Sequence, residues 1–191
     1  LMPLMLQIGF GLSPFQSGLI TFAGAIGAIT TKFMAKRVFA AIGFRTTLLC
    51  TAVISAIATA ANGFFTPETP YLVLIGFLLL AGFTRSFFFT GVNALSYADI
   101  PDEQASQATS LGSVLQQISL ALGVAFAAAI LEGATLIRGT HLQIGDFHLA
   151  FFVVAAVSLF GAIPFIAMDR SAGAAVSGHR QDVGLEPEKA E

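Results

Sequence analysis

The sequence predicts an all-α integral membrane protein with about five complete membrane-crossing helices, and three observations predict it. Of its 191 residues only 10% are charged and 55% are hydrophobic, where soluble domains carry roughly a quarter charged residues. The mean hydropathy is +0.83. The charges are also gathered, leaving Leu1 to Thr31, Thr46 to Pro67, Thr69 to Thr84, Gln104 to Leu131 and Phe147 to Met168 free of Lys, Arg, Asp and Glu. A helix of about 20 apolar residues crosses the hydrocarbon core of a bilayer. A water-soluble globular domain is excluded.

Taken in order, Leu1 to Gln7 reads as the end of a preceding span, and Gly9 to Pro14 as an outer loop with turn residues and a breaker. Residues 1–17 therefore form one unit, and residues 18–168 a five-span unit with helices over 18–38, 45–62, 71–97, 105–131 and 149–168. Between the second and third, Asn62-Gly63-Phe64-Phe65-Thr66-Pro67-Glu68-Thr69-Pro70 is a breaker-rich connection. Asp99, Pro101, Asp102 and Glu103 suit a helix start, where short acceptors and carboxylates meet free amides and the positive dipole end. The segment 132–148 is longer and less apolar than the other connections and has room for a short interfacial helix. Residues 169–191, with Gly, Ser, Pro and mixed charge, are expected to be a disordered cytoplasmic tail.

Positive charge near span ends is retained on the cytoplasmic side. If the spans alternate, Lys32, Lys36, Arg37, Arg45, Arg170, Arg180 and Lys189 share one side, Arg138 takes the other, and Arg85 lies within a span. The C-terminus is thereby expected inside the cell, in the plasma (inner) membrane.

Other classes find little support. The net charge is -2 and no Lys/Arg cluster is interleaved with aromatics, so nucleic acid is not an expected partner. The single cysteine, Cys50, rules out a disulfide framework or thiolate metal site within the chain. There is no GxSxG, HExxH or phosphate-cradling Gly-Lys-Ser, and an enzyme is not expected. His141, Asp146 and His148 have weak metal-ligand spacing and read as solvated loop residues. No basic residue precedes Lys32, so a signal peptide is not supported, and the chain reads as cut from a longer one.

The polar residues inside the spans carry the functional argument. At about 100° per residue, Arg85, Ser96, Phe89, Asn93, Ser86, Tyr97 and Thr90 fall within an arc of roughly 140°, with Phe87 and Phe88 outside it and facing lipid. Arg85 lies near mid-membrane, where a guanidinium costs about 3 kcal/mol or more unless paired or hydrated. It belongs either to a substrate or coupling site or to a structural ion pair with a helix outside this chain. Asn93 offers an amide to a substrate or ties two helices together.

On 105–131, Ser106, Ser110, Ser113 and Gln117 form one polar line, of which Gln117 is the cavity candidate. Gly112, Gln116, Ser119 and Gly123 form a second line, expected to pack against a neighbouring helix as small-residue stripes do. Thr21, Gly24, Ala28, Thr31 and Ala35 form a similar seam on 18–38.

The stretch Gly82-Phe83-Thr84-Arg85-Ser86-Phe87-Phe88-Phe89-Thr90-Gly91-Val92-Asn93-Ala94-Leu95-Ser96-Tyr97-Ala98-Asp99-Ile100-Pro101 resembles a segment of multidrug-resistance transporters of the major facilitator superfamily. Leu4 to Gly18, Ser110-Leu111-Gly112-Ser113-Val114-Leu115-Gln116-Gln117 and Leu122-Gly123-Val124-Ala125 extend the likeness over nearly the whole chain. It resembles the drug:proton antiporter branch, whose members have about fourteen spans. The resemblance implies a C-terminal fragment of such a bundle and efflux of drugs or other amphipathic organic compounds. It further implies a proton gradient as energy source without a cofactor, and the N-terminal transporter half as main partner. Arg85, Ser86, Phe89, Thr90, Asn93 and Gln117 would line its cavity. Lys32 to Arg45 sits where the superfamily repeats its Gly-x-x-x-Asp-Arg-x-Gly-Arg-Arg loop, yet it lacks the Asp, which leaves the associated gating contact without its carboxylate. The alternative is a non-transporting membrane scaffold or subunit derived from a truncated transporter.

Overall fold

The computed structural model describes residues 1–98, 100–139 and 141–169. Helix α1 (Met2–Leu4) runs into a π-helical turn, Met5–Gly9. It is followed by α2 (Pro14–Ile42), α3 (Phe44–Ala61), α4 (Tyr71–Ser96), α5 (Ala105–Arg138), α6 (Ile144–Phe160) and α7 (Ile163–Ala167). Among the described residues five helices are long and apolar enough to cross a membrane: Pro14–Ile42, Phe44–Phe64, Tyr71–Ser96, Ala105–Arg138 and Ile144–Ala167. The tail expected to be disordered lies outside the described residues from 170 onward.

Several boundaries differ from those expected, each for a local reason. Helix α2 begins at Pro14 because Ser13 and Gln16 form a capping box and proline suits the first turn. It runs to Ile42 because nothing breaks it before Gly43, which at φ 81° adopts a backbone that favours glycine. Helix α5 continues through the expected outer loop to Arg138, and Gly139, at φ 64°, ends it as a left-handed cap. Among the described residues no separate interfacial helix forms there. Helix α6 starts at Ile144, five residues early, on a capping box between Gln143 and Asp146. The last span is broken at Gly161-Ala162 and resumes as α7.

Helices α2 and α4 meet backbone to backbone. A Cβ on Gly27 would overlap the Leu79 carbonyl, and one on Gly82 would sit 2.7 Å from the Gly24 Cα. Across this contact Thr31 Oγ1 donates to the Phe83 carbonyl at 3.0 Å, and Ser86 Oγ to the Ala28 carbonyl at 3.1 Å. The expected α2 seam is therefore present at Gly24, Ala28, Thr31 and Ala35, with its closest point one position aside, at Gly27. Small residues matter here because lipid is as apolar as a side chain, so helices associate by close packing and hydrogen bonds.

Phe87 does not face lipid. It is buried with Phe39 and Phe44, its ring centroid 4.9 Å from that of Phe83, while Phe88 is half-buried edge-on against Phe165 at 5.5 Å. Of the polar arc, Arg85, Phe89, Thr90, Ser96 and Tyr97 are exposed while Ser86 turns to α2, and the remaining apolar circumference includes both exposed and packed residues, which hydropathy cannot divide.

A second core joins Met5, Leu6, Phe65, Leu74, Leu131, Phe147 and Phe151 at the opposite end of the bundle. Through Leu131, its one buried residue among those described, α5 reaches this core and α6. Among the described residues the stripe Gly112, Gln116, Ser119 and Gly123 meets no other long helix along its length. Ser119 is exposed, a Cβ on Gly123 would meet open space, and Gly112 faces only the Tyr97 hydroxyl beyond the end of α4. Among the described residues α5 is anchored chiefly toward its C-terminal end, through Leu131 and its contact with α6.

Candidate functional site

The open side of α4 carries the candidate site. At 1.5 Å per residue, Arg85 lies about 21 Å from Tyr71 and about 16 Å from Ser96, close to the middle of the helix. Its side chain is exposed and has no ion-pair partner among the described residues. One turn on, Phe89 is 49% exposed, with Thr90 exposed beside it. Asn93 Nδ2 donates to the Phe89 carbonyl at 2.8 Å, which leaves its Oδ1 free to accept among the described residues. Ser96 Oγ turns back to the Val92 carbonyl at 2.8 Å.

Ser86 stands apart from this group, since its hydroxyl is engaged with α2. Gln117, about 18 Å along α5 from Ala105 and so at a comparable depth, is exposed on a different helix. The chain thus brings Arg85, Phe89 and Asn93 together on one surface of α4, leaves Thr90 at its margin and keeps Gln117 on α5. A planar guanidinium, an aromatic face and an amide oxygen at mid-depth are groups able to contact an amphipathic molecule, and among the described residues no nucleophile or base is paired with them.

The residues that the sequence reading missed lie at the far ends of α5 and α6. Arg138 pairs with Asp146, which is 1% exposed and also accepts a hydrogen bond from the Gln143 amide at 2.8 Å. His148 Nε2 lies 3.0 Å from the Phe65 carbonyl. These two are structural groups, not solvated loop residues. The signal was the Gln143-x-x-Asp146 spacing, a capping box in a segment otherwise read as a solvated loop.

The profile of the Major Facilitator Superfamily matches residues 1–187. The chain belongs to the major facilitator superfamily. Three bacterial proteins similar to it are each provisionally named multidrug resistance protein MdtD. That of Cronobacter sakazakii is 32% identical over 169 residues, covering 88% of this chain and 36% of the relative. That of Escherichia coli is 35% identical over 131 residues, with 68% and 27% covered. The Serratia proteamaculans protein is 30% identical over 176 residues, with 88% and 35% covered. The chain spans about a third of the length of these curated relatives. No solved structure matches it significantly. The superfamily is one of multi-pass membrane transporters, not of enzymes, and the five apolar helices are a helical part of such a bundle.

Proposed function

We propose that the full-length protein is a secondary active transporter of the plasma membrane that exports drugs or other amphipathic organic compounds in exchange for protons. Two halves rock about a midplane site in alternating access, and this chain lies toward the C-terminal end with its C-terminus in the cytoplasm. The provisional names of the relatives support drug efflux. The observation that carries the reading is Arg85, an exposed cation at mid-depth without a partner among the described residues, beside Phe89 and Asn93. Because an unpaired guanidinium is costly in hydrocarbon, that surface faces a hydrated cavity rather than lipid. There Arg85 meets a carboxylate of the remaining helices or an anionic group of the substrate, Phe89 stacks on apolar rings, and Asn93 orients polar groups. Thr90 and Gln117 border the same space.

The test is efflux by the full-length protein. Arg85→Lys keeps the charge but loses the planar fork, and Arg85→Ala loses both. Efflux should fall in both, further in the alanine variant, with the amount of folded protein in the membrane little changed. Parental efflux of every compound tested with Arg85→Ala, or a fall that only tracks a loss of folded protein, returns Arg85 to a structural ion pair.

A further inference from the structure

We infer that the C-terminal end of α2 is a binding site for the headgroup of an anionic phospholipid. Helix α2 buries Ala23, Gly27, Thr31, Ala35 and Phe39 on one side. On the other, Phe22, Ile26, Ile29 and Phe33 recur at i, i+4, i+7 and i+11 and are all exposed, Phe33 at 79%. This apolar line runs directly into Lys32, Lys36 and Arg37, each exposed and without an ion pair or hydrogen bond among the described residues.

The level of the cations fits a headgroup. Measured from Pro14 at 1.5 Å per residue, they lie about 27 to 35 Å along the helix. The hydrocarbon core is about 30 Å thick, so they emerge where phosphates reside. An acyl chain can lie along Ile26, Ile29 and Phe33 while its phosphate is held by Lys36 and Arg37, with Lys32 beneath. Lys and Arg reach such a level by laying their apolar stems along the helix. The nearby Arg45 is excluded from the site because its guanidinium donates to the Ile166 carbonyl at 2.7 Å. A lipid with net negative charge is favoured over a zwitterionic one because three positive groups stand together with no ion pair to a carboxylate among the described residues, and each draws an anionic surface toward it. A covering protein helix would instead have to bring carboxylates to this level.

The experiment uses the full-length protein in vesicles, with Cys50→Ser and a fluorophore on Ile29→Cys, one turn above Phe33. Brominated phosphatidylglycerol should quench the label more strongly than brominated phosphatidylcholine at equal mole fraction, with a relative association of about threefold or more. The preference should vanish in the triple variant Lys32→Gln, Lys36→Gln, Arg37→Gln while quenching by phosphatidylcholine persists, which verifies that the variant is folded and lipid-facing. High salt should weaken the preference in the unsubstituted protein as well. Equal quenching by the two lipids overturns the proposal, as does a preference that survives the triple substitution. Quenching by neither lipid means that another helix covers the face, and loss of the preference on adding inorganic phosphate means that the ligand is free phosphate. Efflux is not the readout, so this site stands or falls independently of Arg85.

Discussion

Arg138, in the last turn of α5, is paired with Asp146, in the first turn of α6, across a connection that begins at the left-handed Gly139. The carboxylate is buried, caps its own helix through the Gln143 amide, and neutralises the half-exposed guanidinium. Because α5 buries little else among the described residues, this pair and Leu131 fix how α5 departs from the bundle.

Removing the cation should therefore matter more than its exposed position suggests. Arg138→Ala leaves a buried carboxylate unneutralised and should cost about 1–3 kcal/mol, discounted from a fully buried pair because Arg138 is partly solvated. Arg138→Lys should recover most of that. Thermal unfolding of the full-length protein in detergent measures it, and equal midpoints for wild type and Arg138→Ala would show that the pair does not hold the hairpin.

The α2–α4 contact makes a sharper demand. Alanine for glycine inside a helix is normally worth about 1 kcal/mol in its favour. At Gly27 and Gly82 the new methyl would enter a backbone carbonyl, and overpacking should reverse the sign to a loss of about 1–3 kcal/mol. Gly76→Ala, where the methyl meets open space, is the control and should be neutral or stabilising. If Gly27→Ala proves as stable as Gly76→Ala, the helices are not in backbone contact.

Phe87 and Phe89 should separate folding from transport. Phe87→Ala empties a buried aromatic cluster and should cost about 2–4 kcal/mol of stability. Phe89→Ala removes an exposed ring and should leave the unfolding midpoint near that of wild type while altering which compounds are exported. The reverse pattern, a stability loss at Phe89 and unchanged stability at Phe87, would contradict both placements.

Topology is checked by fusions after Glu191 in the full-length protein. A cytoplasm-active fluorescent protein should shine and a periplasm-active phosphatase should stay silent, as the grouping of Lys32, Lys36, Arg37 and Arg45 requires. Strong phosphatase activity without fluorescence would invert the membrane orientation.

Span number and the polar side of α4 were legible in the sequence because both rest on where water-seeking groups are absent or aligned. Helix ends were less so: Glu132 and Arg138 suggested a loop, yet a helix that has left the hydrocarbon keeps its hydrogen bonds until a residue such as Gly139 turns it. Phe87 was misplaced because burial against a neighbouring helix and exposure to lipid demand the same chemistry. Ser86 shares the angular arc of Arg85, but angle alone does not say how near α2 approaches, and proximity decides that its hydroxyl serves packing. The stripe on α5 has the composition of a packing contact, yet among the described residues no long helix meets it, and composition alone does not supply the neighbour.

The contact of Gly27 with Leu79 and of Gly82 with Gly24 has a mechanical corollary. Where side chains interleave, two helices can slip by a rotamer change; where carbonyls abut α-carbons, there is no compliant layer to shear. Helices α2 and α4 consequently behave as one packed unit, with Lys36 and Arg37 toward the C-terminal end of α2 and Arg85 near the middle of α4. Sliding one helix along the other would first require their backbones to separate, so Arg85 keeps its height relative to α2 as long as the Gly27 and Gly82 contacts hold.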